Sequence, residues 1–197
     1  MTESRADSEV RAELLAAGER VFADKGYAAA TISDVIEASG TSRASYYRYF
    51  SNKIELFEEL SHDCFREMRS VIRSFGELGP PPVGRPATVE LLERYHELHA
   101  RHKGVIRAWT ELTGRAGTPM RRSGVAAVMA LSDEMGSAIS GIVPDLGDGE
   151  RAVRATLLFL LIERSSFYVS NAVSRVDRDR LPPTLATLVH RGFLGGE

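Results

Sequence analysis

The chain has a single cysteine, Cys64, among its 197 residues. That excludes an intramolecular disulfide and a cysteine-built zinc site, and it suits a reducing compartment. Long apolar runs are missing as well. Runs such as Leu157 to Ile162 fall far short of the roughly 18 to 20 residues that cross a bilayer. The opening MTESRADSEV carries acids where a secretory leader carries an apolar stretch. Net charge is nearly absent: 25 Lys and Arg against 27 Asp and Glu leave −2, which argues against a protein that coats nucleic acid through a broad basic surface. No sustained apolar/polar alternation marks a half-buried strand. The expectation is a cytoplasmic protein without a membrane span, and its 43% hydrophobic residues suffice for a real core.

Apolar residues recur at helical spacing almost throughout. Val10, Leu14, Val21 and Phe22 form one stripe, with Ala17 and Gly18 between them and Gly26 as a stop. TISDVIEASG then predicts a compact second helix with Thr31 as cap, Asp34 in the reciprocal position and Gly40 at the end. Ile32, Val35 and Ile36 are its expected buried face. A third short helix covers about Ser42 to Arg48. Asn52 with Glu55 opens a long fourth, striped by Leu56, Phe57, Leu60, Cys64, Met68, Val71, Ile72 and Phe75. The proline-rich segment 76–86 breaks the pattern. Helices resume at about Thr88 to His102, Gly104 to Thr113, Thr118 to Ile142 with Pro119 at the first helical position, residues 149–174, and from Pro182-Pro183 to about Phe193. The predicted class is all-α, with eight or nine helices.

Charge is distributed unevenly. Residues 41–53, TSRASYYRYFSNK, hold Arg43, Arg48 and Lys53 with no acid and three tyrosines, whereas residues 1–40 hold eight acids against four bases. Two short helices joined by a glycine-containing turn describe a helix-turn-helix, whose second helix enters the DNA major groove. That second helix, Ser42 to Tyr49, is almost without an ordinary apolar stripe, so it is expected to face something polar.

From Thr31 to Phe57 the order T-x-x-D-V-I-E-A-S-G-T-S-R-A-S-Y-Y-R-Y-F-S-N-K-I-E-L-F resembles the DNA-binding signature of TetR-type transcriptional regulators. Phe22, Gly26 and Tyr27 upstream fit it too. The resemblance is specific over about 50 residues. It implies an N-terminal three-helix helix-turn-helix domain, residues 1–52, and a larger helical ligand-binding and dimerisation domain, residues 53–197. It also implies a homodimeric repressor on a palindromic operator in double-stranded DNA, released by a small-molecule effector. Carried onto this chain, it places Thr31 at a phosphate, Tyr47, Tyr49 and Lys53 as phosphate clamps, and Ser42, Arg43, Ala44 and Ser45 at or facing the base edges. Phe50 is the apolar plug behind them. Tyr46 stands where the family often has leucine, and neither it nor Arg48 receives a role.

The resemblance also sets expectations for the C-terminal domain. The helix 149–174 and the final helix, with Leu185, Leu188, Val189 and Phe193, occupy the position of a two-fold four-helix interface. Pocket candidates are Phe65, Met68, Ile72, Tyr95, Trp109, Met129, Phe159, Glu163 and Phe167. Any one of the aromatic or methionine residues reads equally as plain core. Glu163, Arg164, Ser165, Ser166 and Asn171 interrupt an apolar helix and need partners. His96, His99 and His102 drift around their helix at steps of three, so no metal site and no cofactor is expected. Cys64 reads as a buried inert thiol, and GDGE at 147–150 as a turn opening a helix. Two other classes remain open: a helical enzyme, although no G-x-S-x-G, P-loop, dinucleotide fingerprint or H-E-x-x-H is present, and a module whose second helix binds protein.

Overall fold

The computed structural model describes residues 5–78, 84–113, 119–170, 177 and 179–193. Among these, the chain forms nine α-helices and no strand: α1 (Arg5–Lys25), α2 (Ile32–Ser39), α3 (Arg43–Tyr49), α4 (Lys53–Gly76), α5 (Arg85–Arg101), α6 (Lys103–Thr113), α7 (Pro119–Ile142), α8 (Asp148–Ser170) and α9 (Leu181–Phe193). The expected starts and stops hold to within a few residues. α8 is described as far as Ser170, and the expected positions Thr118 and 171–174 lie outside the described residues.

Local chemistry sets the helix ends. Thr31 caps α2 by accepting the Asp34 N–H at 3.2 Å while Asp34 takes the Thr31 N–H at 2.9 Å, a complete capping box. Gly40 closes α2 at φ +67, and Gly26 follows α1 at φ +78, the left-handed conformation that glycine adopts without penalty. Asn52 accepts the Glu55 N–H at 3.0 Å. The Glu55 carboxylate reaches back to the N–H of Ser51, one residue before the expected partner.

The chain packs as two compact units, Met1–Cys64 with His102–Gly124 and Phe65–Arg101 with Val125–Glu197. In the first unit, α1 packs on α2 and α6. Its core holds Leu14, Ala17, Val21, Phe22, Tyr27, Val35, Tyr46, Phe50, Leu56 and Phe57. Phe22, Tyr27 and Phe57 meet at centroid distances of 5.0 to 6.2 Å, close enough for edge and tilted aromatic contacts. Of the expected α2 face only Val35 is fully buried, Ile32 and Ile36 being half-buried. α6 and the first half of α4 belong to this unit: Phe57 meets Trp109 at 5.4 Å between ring centroids, and Gly18 of α1 faces Leu56 and Leu60.

In the second unit α5 packs on α8 and α9. Met68, Val71, Ile72 and Phe75 of α4 are buried as the stripe predicts, with Leu91, Leu92, Leu98, Leu158, Phe159, Ile162, Leu185 and Val189. One segment among the described residues, Ser123–Ile142, is long and apolar enough to cross a membrane by length and composition alone, as the core helix of a water-exposed fold also can be. Asp133 and Glu134 sit within it, and Glu134 pairs with Arg73 at 2.5 Å. Leu131, Met135, Ala138, Ile139 and Ile142 form its buried side.

Candidate nucleic-acid interface

α2, the Gly40–Ser42 turn and α3 form the helix-turn-helix. Ser42 caps α3 by accepting the Ser45 N–H at 3.0 Å, and its hydroxyl meets that of Ser45 at 2.9 Å. α3 then divides sharply. Tyr46 and Phe50 point inward at 0% and 2% exposure, whereas Arg43, Ala44 and Tyr47 are exposed on the other side. The Arg43 guanidinium lies 5.6 Å from the Tyr47 ring centroid, within cation–π reach. A planar donor, a methyl and a phenol thus share one solvent-facing surface beside the α3 N-terminus.

The structure resolves Tyr46. Its ring is core, its hydroxyl donates to the Asn52 carbonyl at 3.1 Å, and burial pushes its pKa up to about 12. Arg48 pairs with Asp7 of α1 at 2.8 Å and donates to the Tyr49 hydroxyl at 2.6 Å, over whose ring it lies at 4.8 Å.

Three residues expected to face DNA have polar atoms engaged within the fold. The Tyr49 hydroxyl donates to Asp7 Oδ1 at 3.0 Å, which turns the phenol toward α1. Lys53 Nζ donates to the carbonyls of Tyr27 and Ala30, both at 2.7 Å, and sits 4.4 Å from the Tyr27 ring centroid. Desolvation holds its pKa below the usual lysine value. The Thr31 hydroxyl donates to Asp34 Oδ2 at 2.8 Å. A hydrogen bond from Lys25 is the largest influence holding Asp34 down at about 2, followed by the backbone and side-chain bonds from Thr31.

Sequence reasoning missed three residues of this unit. Gly104, Arg107 and Glu111 stand on α6 at steps of three and four and engage the end of α1 and the turn that follows it. The partners lie 83 to 85 positions away, so no local pattern marks them.

The pocket candidates divide between the units. Trp109 belongs to the N-terminal unit, where its indole N–H donates to Ser61 Oγ at 3.1 Å and its ring lies 5.4 Å from Phe57. Met129 is 62% exposed on the outer side of α7, so it lines no interior. The remaining seven stand in the C-terminal unit or at its edge on α4, α5 and α8. Tyr95 is buried there beside His99, with rings 5.5 Å apart, and His99 Nε2 lies 3.8 Å from Glu163 Oε1. Burial raises the Glu163 carboxyl above its ordinary pKa, and Arg164 opposes that. Two grooves among the described residues of this unit, about 300 and 230 Å³, are lined by residues other than these nine. Among the described residues no three His, Cys, Asp or Glu side chains gather as metal ligands would. Leu185 and Val189, expected at an interface, are buried within the chain, and Leu188 is the exposed leucine of α9.

Comparisons with known proteins agree with this architecture. The family profile described as "Bacterial regulatory proteins, tetR family" matches residues 14–60, from α1 into α4. The transcriptional regulator TtgR of Pseudomonas putida is 40% identical over 93 residues, covering 46% of this chain and 43% of TtgR. The repressor AcnR of Corynebacterium jeikeium is 32% identical over 72 residues, covering 36% of this chain and 38% of AcnR. The chain thus spans less than half the length of these curated relatives. In fold the likeness is wider. FadR of Bacillus halodurans, a fatty acid degradation regulator, superposes with a TM-score of 0.67 over 100% of this chain and 98% of its own at 16% identity. PfmR of Thermus thermophilus does so with a TM-score of 0.66 over 93% and 97% at 17% identity. These relatives and neighbours are regulators and not enzymes. Over residues 14–60 the chain thus carries the sequence pattern of the tetR family of bacterial regulatory proteins, and it shares the fold of the solved regulators on which it superposes.

Proposed function

We propose that this protein is a homodimeric, sequence-specific DNA-binding repressor of the bacterial cytoplasm, released from a palindromic operator by a small molecule. The observation that carries the reading is the division of α3. Its inner side is anchored by Tyr46 and Phe50, and its outer side offers Arg43, Ala44 and Tyr47 to a groove. Arg43 suits bidentate contact with guanine O6 and N7, Ala44 suits a thymine methyl, and the Tyr47 hydroxyl suits a phosphate. Ser42 and Ser45 frame the start of the helix. The hydroxyls of Thr31 and Tyr49 and the ammonium of Lys53 set the pose of this surface, and the unpaired N–H groups of the first turn of α2 remain for a phosphate.

One such helix reads few base pairs, so two are held about 34–36 Å apart on a palindrome. Val153, Leu157, Leu160 and Tyr168 form an exposed stripe along α8, with Leu188 exposed on α9. An apolar face of this extent supports pairing with a second copy. The effector reading rests on the buried Tyr95, His99 and Ser166, with the half-buried Glu163 beside His99, in the largely apolar C-terminal unit. Phe65, Met68, Ile72, Phe159 and Phe167 supply apolar neighbours on the same helices. α4 contributes residues to both units, so an effector preferring one pose of α4 alters the spacing of the recognition helices.

The test is titration of the protein against duplex DNA flanking its own gene at several salt concentrations. A specific complex weakened by Arg43→Ala with Tyr47→Ala is expected. No specific complex at any salt, or one indifferent to both substitutions, overturns the reading.

A further inference from the structure

We infer that Arg107 and Glu111 of α6, seated by Gly104, are positioning residues for DNA binding, fixing the turn through which α1 enters α2. The inference rests on the DNA-binding reading above. The face of α6 that carries these residues touches no candidate DNA surface. It meets backbone instead.

Gly104 brings the two helices together. A Cβ at this position would lie 2.3 Å from the Glu19 carbonyl oxygen and 2.8 Å from the Ala23 nitrogen, so no side chain fits between α6 and α1. Glu19 Oε1 accepts the Gly104 N–H at 2.5 Å, placing a carboxylate from α1 at the N-terminus of α6 where the helix dipole favours it. One turn on, Arg107 Nη1 donates to the Ala23 carbonyl at 2.9 Å. That carbonyl lies in the last turn of α1, where intrahelical donors run out. Arg107 Nε also donates to Glu111 Oε1 at 3.1 Å. Glu111 in turn faces the 26–30 turn: its Oε2 accepts the Ala28 N–H at 3.4 Å, and its Oε1 stands 2.5 Å from where a Gly26 Cβ would be.

The same turn is held from its other side by Lys53, on the carbonyls of Tyr27 and Ala30. Two of its carbonyls are therefore bound to α4 and its Ala28 N–H to α6. The next residue after the turn is Thr31, the cap of α2. A shift of α6 along α1 would thus move the start of the helix-turn-helix, with Arg43 and Tyr47 carried along. Glycine at 26 and at 104 makes room for both approaches.

The test uses the full chain and four variants: Arg107→Met and Glu111→Ala, with Arg107→Lys and Glu111→Gln as conservative partners. Amide hydrogen exchange needs no DNA. Exchange at residues 27–31 is expected to quicken at least tenfold in Arg107→Met and Glu111→Ala while that of residues 56–61 in α4 stays as in the parent. In titrations with the flanking duplex, specific affinity is expected to fall at least tenfold, with affinity for unrelated duplex unchanged. General unfolding would lower both together. The conservative variants are expected to recover much of each effect, and they carry the test if the harsher pair does not fold. Parental exchange at 27–31 and parental specific affinity in folded variants overturn the inference. If the parent itself shows no specific complex, the DNA reading falls, and the exchange arm still decides whether α6 holds the turn.

Discussion

Lys53 Nζ donates to the Ala30 carbonyl at 2.7 Å, tying the first residue of α4 to the residue that precedes the α2 cap. A second bond of the same length to Tyr27 leaves this ammonium engaged with backbone. Lys53→Met removes both donors and leaves two carbonyls in need of water. The expected loss is about 2 kcal/mol of folding stability, read by urea denaturation. With the ammonium engaged by backbone, the salt dependence of DNA binding is expected to keep its slope. A slope shallower by about one unit with stability unchanged would return Lys53 to the phosphate clamps.

Tyr46 separates two effects in one side chain. Tyr46→Phe keeps the ring and loses only the bond to the Asn52 carbonyl, an expected cost of about 1 kcal/mol. Tyr46→Ala empties a fully buried site packed against Phe50 and Tyr47, an expected cost of about 3–5 kcal/mol. Thermal unfolding of both variants checks the ratio. Equal losses would mean that the hydroxyl, and not the packing, anchors α3.

Glu19 carries a pH signature. Burial raises its carboxyl to about 7, with the Gly104 and Val105 N–H groups and the nearby Lys103 pulling the other way. The folded state therefore favours the protonated form. Its contribution to stability is full below about 4.5 and is lost as pH rises to about 7, by at most roughly 3 kcal/mol. Glu19→Gln stays neutral and keeps an acceptor for Gly104. The melting temperature of the parent is expected to fall relative to this variant between pH 5 and pH 8. Parallel profiles across that range would place the carboxyl in a more polar setting than the packing indicates.

What the sequence made legible was local chemistry. The Thr31–Asp34 box, the Gly40 stop, the Asn52–Glu55 start and the α4 stripe all follow from residues three or four apart, where backbone geometry dictates who meets whom. The destinations of long polar side chains were not legible. Lys53 reaches back 26 positions, Tyr49 reaches 42, Trp109 reaches 48 and Gly104 meets a carboxylate 85 away. The resemblance set Tyr47, Tyr49 and Lys53 side by side as phosphate clamps. In the fold the Tyr49 hydroxyl bonds to Asp7 and the Lys53 ammonium to two backbone carbonyls. The interface residues show the same limit: Leu185, Leu188 and Val189 share one helix and one hydropathy class, yet only Leu188 faces out.

The exposed stripe on α8 makes the last prediction. Val153, Leu157, Leu160 and Tyr168 recur at steps of four, three and eight, so they lie along one side of the helix, and Arg164 falls on the same side. Substituting Leu157→Glu together with Leu188→Glu places two carboxylates from each copy at a face expected to close on its own image, where like charges meet without partners. Both side chains are solvent-facing in the chain itself, so the fold tolerates the change, and circular dichroism is expected to match the parent. Sedimentation velocity is expected to show a dimer for the parent and a monomer for the variant. The monomer still presents one α3, so its affinity for a single half-site survives while its preference for the full palindrome is lost, by a hundredfold or more. A variant that remains dimeric at low micromolar concentration would move the two-fold contact off α8 and α9.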